Sequence, residues 1–254
     1  MRQGSFARTA WPPIVLGLIV VLLWQGAVMV FEIKPFILPA PFQITSEFVA
    51  NFDTVLAGVI VTGRNALIGL VMGTIMGIIV AIIAALLRIV DAMIAPIVAA
   101  LAVVPIVALA PVLYTMFGAG AETARQLVAA LAVFVPVFFN TLKGLRQVRP
   151  VHRDLMRSYA ATRWQATRVV TLPTAVPFVF TGLRIASSLA VISSLVAEYF
   201  GGPVGGLGRS ITSSASSSNY GLAWAYVLGS IFLGLLFYCA ALGLEKLVSR
   251  RSGG

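Results

Sequence analysis

The chain has 254 residues, of which 59% are hydrophobic and 10% charged, with a formal net charge of +10 and a mean hydropathy of +1.00. A soluble domain carries about 25% charged residues, so this composition excludes one and requires hydrocarbon around much of the chain. The lone cysteine, Cys239, excludes an internal disulfide and leaves no cysteine-based metal site.

Apolar runs of about 20 residues, enough to cross a roughly 30 Å hydrocarbon core, are predicted at 12–31, 55–87, 92–117, 127–142, 176–196 and 221–244. These predict an all-α polytopic membrane protein with six crossings in one domain, residues 1–254. The first run follows Arg2 and Arg8 but is too long for a signal peptide and lacks an A-x-A-type cleavage site, so it reads as an uncleaved anchor. The second is interrupted by Arg64 and exceeds one crossing, which puts its start near the interface. Within it Gly69, Gly73 and Gly77 lay a smooth strip along one helix face, the pattern of close helix packing. Pro96, Pro105 and Pro111 in the third run and Pro136 in the fourth each remove a backbone donor and invite kinks. Kinked helices at membrane depth are tolerated where they line a cavity, which makes Pro105 and Pro136 candidates for such a wall.

The fifth run brings hydroxyls into an apolar helix. Ser187 and Ser194 share a face two turns apart, and either line a cavity or bond the carbonyls of the preceding turn. Arg184 stands close enough to the start of this run to snorkel, whereas Arg64 and Glu198 fall near outer ends of crossings. Three roles are open to Glu198: an ion pair with a basic residue, contact with an outside protein, and closure of an outer gate. The Gly- and Ser-rich stretch 201–219 predicts a flexible connection, with room for a short interfacial or re-entrant helix around 207–214.

The basic residues sort by side. With a cytoplasmic N-terminus, thirteen of the eighteen lie inside: Arg2, Arg8, Arg88, seven between Lys143 and Arg168, and Lys246, Arg250 and Arg251. Outside fall Lys34, Arg125 and Arg209. This is the positive-inside bias with both termini cytoplasmic, so the +10 charge reports topology and does not call for nucleic acid. The connection 143–173 sets its seven basic residues against one acid, Asp154, and 152–170 lacks Gly and Pro. Leu155, Met156, Tyr159 and Ala160 recur at helical spacing, so 152–170 is predicted as an amphipathic helix. It is suited either to lying on anionic headgroups or to docking a cytoplasmic partner.

At this loop the chain resembles the permease subunits of bacterial ABC importers, in the branch that handles nitrate, taurine, alkanesulfonates and pyrimidine-type vitamin precursors. That family carries E-A-A, three residues, Gly, nine residues, then I-x-L-P. Here Asp154 stands at the Glu, Leu155 and Met156 at the alanines, Ala160 at the Gly, and Val170, Leu172 and Pro173 at I-x-L-P. The spacing is kept while the letters have drifted. YAATRWQ at 159–165 is similar to the family's LGASRWQ, and TLPTAVPFVFTGLRIA at 171–186 to its xLPAALPYxxTGLRIA. VPIVALAPVLYTMFG at 104–118, FVPVFFNTLKGL at 134–145 and VAEYFGGPVGGLG at 196–208 fall in the same order, and the likeness covers about 55–245.

The resemblance implies a type I importer permease fold with a cytoplasmic coupling helix, in a bacterial inner membrane. It also implies two ATPase subunits, which would carry ATP and Mg, a second permease copy or a similar chain, and an extracytoplasmic substrate-binding protein. The chain itself has no G-x-x-x-x-G-K-[ST] to cradle phosphates and no cofactor or metal is expected on it. Asp154, Leu155, Met156, Tyr159, Ala160, Trp164 and Pro173 become the expected ATPase-coupling residues. Ser187, Ser194, Pro105 and Pro136 become the expected translocation path, and Glu198 and Arg64 the expected outer gate or binding-protein contact. VPIVALAP and LMRSYAAT lie closer to the vitamin-precursor branch, riboflavin or hydroxymethylpyrimidine, than to the sulfonate branch. The rival is an ion-coupled secondary carrier, which would need an inverted repeat or an intramembrane acid relay. An embedded enzyme is disfavoured by a single histidine, His152, and by the lack of clustered carboxylates.

Overall fold

The computed structural model describes residues 6–105, 108–118 and 120–252, with side chains from 11 to 248 in that range, and every element among them is helical. The basic residues Arg2, Arg8, Arg250 and Arg251, on which part of the charge bias rests, have side chains outside the described residues. The helices are α1 (Phe6–Val30), α2 (Pro41–Ala50), α3 (Phe52–Leu86), α4 (Arg88–Val103), α5 (Leu109–Phe117) and α6 (Thr123–Arg146). There follow α7 (Pro150–Ser158), α8 (Arg163–Ala166), a π-helical segment (Thr167–Thr171), α9 (Leu172–Phe200), α10 (Leu207–Ser216) and α11 (Tyr220–Ser252). Among the described residues five helical stretches are long and apolar enough to cross a membrane: Trp11–Val30, Phe52–Leu86, Thr123–Arg146, Arg163–Phe200, which joins α8, the π-helical segment and α9, and Tyr220–Val248.

The predicted run 92–117 is two helices instead of one. Val104 before Pro105 takes an extended conformation, φ −61 and ψ 128, and ends α4, as the residue before a proline is pushed to do. Residues 106 and 107 of that run lie outside the described residues.

The core is a sandwich with α6 at its centre, packed on α3 along one side and on α9 along the other. Glycines set both distances. A Cβ on Gly69 or Gly73 would collide with Ala129 or with the carbonyl oxygen of Ala130, and one on Gly77 would lie 3.0 Å from Val137. The register 69–129, 73–130 and 77–137 rises together, so α3 and α6 run parallel. On the other side Gly144 abuts Ala175 and Phe178, and Gly182 abuts Asn140 and Pro136, so α9 runs antiparallel to α6. In lipid, where helices gain nothing by hiding apolar surface from water, such close backbone approach is what holds them together.

Parallel packing of α3 and α6 fixes the job of the broken pair between them. The chain must return over the full height of the molecule from Leu86 to Thr123, and α4 and α5 make that return. Asp91 near the start of α4 pairs with Arg146 at the end of α6 at 2.7 Å. Tyr114 in α5 reaches the other end, where its hydroxyl donates to the carbonyl of Ala197 at 3.3 Å. By contrast α1 is almost wholly exposed along Trp11–Val30; it touches α2, where the amide of Phe42 donates to Gln25 at 3.1 Å, and α11 through the edge-to-face pair Trp24–Trp224, 5.9 Å between centroids.

The predicted continuous helix 152–170 is also corrected. It stops at Ser158, Ala160 takes φ +49, and a new helix begins at Thr162, whose hydroxyl and Gln165 form a reciprocal capping box. The capping pair satisfies the first amides of α8, which makes a break without Gly or Pro affordable in hydrogen bonds.

Because the contact at Gly73 is with backbone, Gly73→Val should lower stability by about 1–3 kcal/mol or more, the range of overpacking. Gly234→Ala, with nothing within 4 Å of its Cβ, should leave it unchanged. Thermal unfolding of the purified protein in detergent reads both.

Candidate functional site

Charged residues enter the sandwich at the end where α9 finishes. Glu198 and Arg125 are both fully buried and pair at 2.9 Å. Thr62 of α3 donates its hydroxyl to both carboxylate oxygens, at 2.9 and 3.1 Å, and accepts from the amide of Leu207 at 2.9 Å. The amide of Gly208 donates to Glu198 at 3.0 Å, and Arg125 also donates to the carbonyl of Pro203 at 3.3 Å. One carboxylate thus ties α3, α6, α9 and the start of α10. The glycines of the connecting loop make this possible: a Cβ on Gly206 would fall on the Glu198 carboxyl, and one on Gly208 on the carbonyl of Leu195.

Of the three roles open to Glu198, an ion pair is the one its geometry displays. Arg125 was expected in an outside segment, yet it occupies the first buried turn of α6. The available signal was its place two residues before the apolar run 127–142. Arg64 pairs with Glu122 on an exposed rim of the same end. Arg184, expected to snorkel, pairs with Glu245 of α11 at 3.3 Å, and Thr181 donates to Glu245 at 2.7 Å. Nothing in the spacing of the sequence pointed to Glu245.

Ser187 and Ser194 are buried within the chain, and Ser187 donates to the carbonyl of Arg184 at 2.7 Å. The exposed line on α9 runs instead through Ile185, Ile192 and Tyr199, with Ser188 half-buried beside it. Pro105 lies exposed in the break after α4, and Pro136 lies half-buried in α6, where its carbonyl accepts from Asn140 at 2.8 Å.

At the opposite end α7 buries none of its residues. Leu155, Tyr159 and Trp164 are exposed, at 49%, 75% and 68%, with Met156 half-buried behind them. Asp154 faces solvent and pairs with Arg157 at 3.6 Å. Pro173, in the first turn of α9, lines a recess of about 380 Å³ with His152, Leu155 and Met156. Ala160 supplies the left-handed turn at the position where the resembling family carries glycine, the conformation glycine adopts without strain.

Five long apolar helices, a broken pair that returns between parallel neighbours and an exposed basic segment at one end define a polytopic membrane subunit built to work with partners. The chain belongs to the family of binding-protein-dependent transport system inner membrane components, whose sequence profile matches residues 69–253. It is 35% identical to the riboflavin transport system permease protein RibX of Chloroflexus aurantiacus, over 98% of this chain and 94% of that one. It is 27% identical to the formylaminopyrimidine transport permease protein ThiX of Halalkalibacterium halodurans, over 76% of each. It is 29% identical to the taurine transport system permease protein TauC of Escherichia coli, over 92% and 87%. The fold matches a crystal structure described as an amino acid ABC transporter with histidines, with a TM-score of 0.61 and 18% identity, over 80% of this chain and 95% of that one. The chain is therefore an ABC importer permease subunit, a non-catalytic component whose membership implies an ATPase and a binding protein as partners.

Removing one member of the buried pair strands the other. Arg125→Met should destabilise the protein by about 3–5 kcal/mol, whereas replacing both members together, Arg125→Met with Glu198→Leu, should cost much less. A double-mutant cycle on unfolding in detergent measures the difference.

Proposed function

We propose that the chain imports a small planar heterocyclic solute of the riboflavin or pyrimidine class, in a permease dimer with a second copy or a similar chain. The observation that carries the substrate class is 35% identity along nearly the whole length of a riboflavin permease. Taurine is the second reading, favoured by 29% identity over 92% of the chain. Uptake of radiolabelled riboflavin by cells carrying the complete transporter tests the first, and uptake of radiolabelled taurine with none of riboflavin would replace it with the second.

In this reading α4 and α5 together make a sixth crossing, and both termini and residues 143–173 face the cytoplasm. The helix directions support this, since only a return through α4 and α5 lets α3 and α6 lie parallel. Single cysteines at Ser158, Ser216 and Ser252 in a Cys239→Ser background should react with an impermeant thiol reagent on intact cells at 216 alone. Labelling at 158 or 252 without 216 would invert the topology.

The translocation path follows the exposed line of α9 through Ile185, Ser188 and Ile192, with the buried Ser187 and Ser194 behind it, and the dimer closes over it. At the cytoplasmic end α7 docks into the ATPase through Leu155 and Tyr159, backed by Met156 and framed by Asp154 and the turn at Ala160. Pro173 then joins this element to α9, so a displacement of α7 is passed to the helix that lines the path. Truncating an interface anchor typically costs about 2 kcal/mol or more, some thirtyfold in affinity. Tyr159→Ala should therefore weaken ATPase co-purification by about that factor with membrane insertion unchanged. Full retention of the ATPase by a Tyr159→Ala, Leu155→Ala variant would remove the docking assignment.

A further inference from the structure

Trp164 does not share the surroundings of Leu155 and Tyr159. It lines a largely apolar chamber of about 670 Å³ with the ends of α3 and α6, at Ile82, Leu86 and Leu145, and the start of α9 at Leu172. A second chamber, of about 420 Å³, lies between α7 and α8 and is lined by His152, Arg153, Arg157 and Arg163. The two share Leu86, Arg163, Thr167 and Thr171, so they are one cleft, basic at one end and apolar at the other. The acid beside it, Asp154, is taken by Arg157. Arg153 and Arg163 have no acidic partner among the described residues.

We propose that this cleft binds an anionic phospholipid, with its phosphate held by Arg153 and Arg163 and an acyl chain laid in the chamber beneath Trp164. The occupant must be an amphiphile, because a ligand that crosses the shared lining of Leu86, Arg163, Thr167 and Thr171 meets arginines on one side and an apolar chamber on the other. A free phosphate would leave the apolar chamber unfilled. Basic pockets between membrane helices on the cytoplasmic side are suited to anionic headgroups, and an indole at such a boundary keeps its ring in the headgroup layer. The bound lipid would wedge α7 and α8 away from the end of α3, holding the docking segment at a fixed height over the membrane. The inference rests on the topology above only for the leaflet from which the lipid comes.

Native mass spectrometry of the permease–ATPase complex, titrated with phosphatidylglycerol against phosphatidylcholine, tests it. Each arginine near an anionic surface favours binding about fivefold, so the wild type should prefer phosphatidylglycerol by about thirtyfold. Arg153→Gln with Arg163→Gln should abolish that preference. Arg168→Gln, which removes an exposed charge outside the cleft, should keep it. Trp164→Ala leaves the charges in place and should reduce retention of both lipids. Equal retention of the two lipids by the wild type, or an unchanged preference in the arginine variant, overturns the proposal. So does displacement of the lipid by equimolar glycerol phosphate, which would make the site one for a soluble anion. The bound lipid is read on the permease peak itself. Loss of the ATPase in Tyr159→Ala with lipid retained therefore tests docking alone, and loss of lipid preference with the ATPase retained tests the cleft alone.

Discussion

Everything else in this fold depends on how closely α6 is clasped. Its two faces meet α3 and α9 at glycines, where backbone lies against backbone and a single methyl group would collide. Lipid tails are as apolar as leucine, so helix association inside a bilayer draws on dispersion and polar contacts that reach full strength only at such short range. The clasp also dictates topology. Once α3 and α6 are held parallel, the connection between them has to run the height of the molecule, and a broken pair of helices does so where one kinked crossing was expected. The break at Pro105 costs little there, because α5 is anchored at its far end by Tyr114 against Ala197 and against Gly201 and Gly202.

Onto this clasp the buried ion pair adds position and little else. A fully buried carboxylate and guanidinium lose several kcal/mol each of hydration, which their mutual attraction repays only with good geometry and further donors. Here the further donors are Thr62 and the amide of Gly208, both aimed at the carboxylate of Glu198. The result ties the loop 201–206 and the start of α10 to three membrane helices at once. A loop rich in Gly would otherwise be free to wander, and this end of the subunit would lack a fixed surface.

Much of the fold was legible because periodicity and apolar run length survive translation into structure. The glycine strip at 69, 73 and 77 became the α3–α6 contact, and the stretch 201–219, read as a flexible connection with room for a short helix around 207–214, holds α10. What failed to show were facts of the third dimension. Arg125 reads as a loop charge from its neighbours in sequence, and only the folding of 198–208 back over it makes it a buried partner. Glu245 sits in the last helix with its partner Arg184 sixty-one positions earlier, a separation that no local pattern encodes. Ser187 and Ser194 share a face as their spacing requires, yet periodicity does not say whether that face meets a neighbour or open space. It meets neighbours.

The drift in the motif at 154–173 follows from the same distinction between shape and letters. The family pattern carries glycine where this chain has Ala160, and the position needs a left-handed backbone, here φ +49. Alanine tolerates that region at a cost of about 1–2 kcal/mol, so the turn must be held from outside the residue. The capping box of Thr162 and Gln165 does part of this by starting α8 at a fixed point, and the amide of Ala161 bonding to Met156 at 3.0 Å closes the turn from the other side. The geometry of the bend is therefore over-determined, and the residue at its apex is released from being glycine. What the element fixes is the angle between the exposed face of α7 and the start of α9. That angle is set by the hydrogen bonds on either side of Ala160, which is why the spacing of the motif persists where its letters do not.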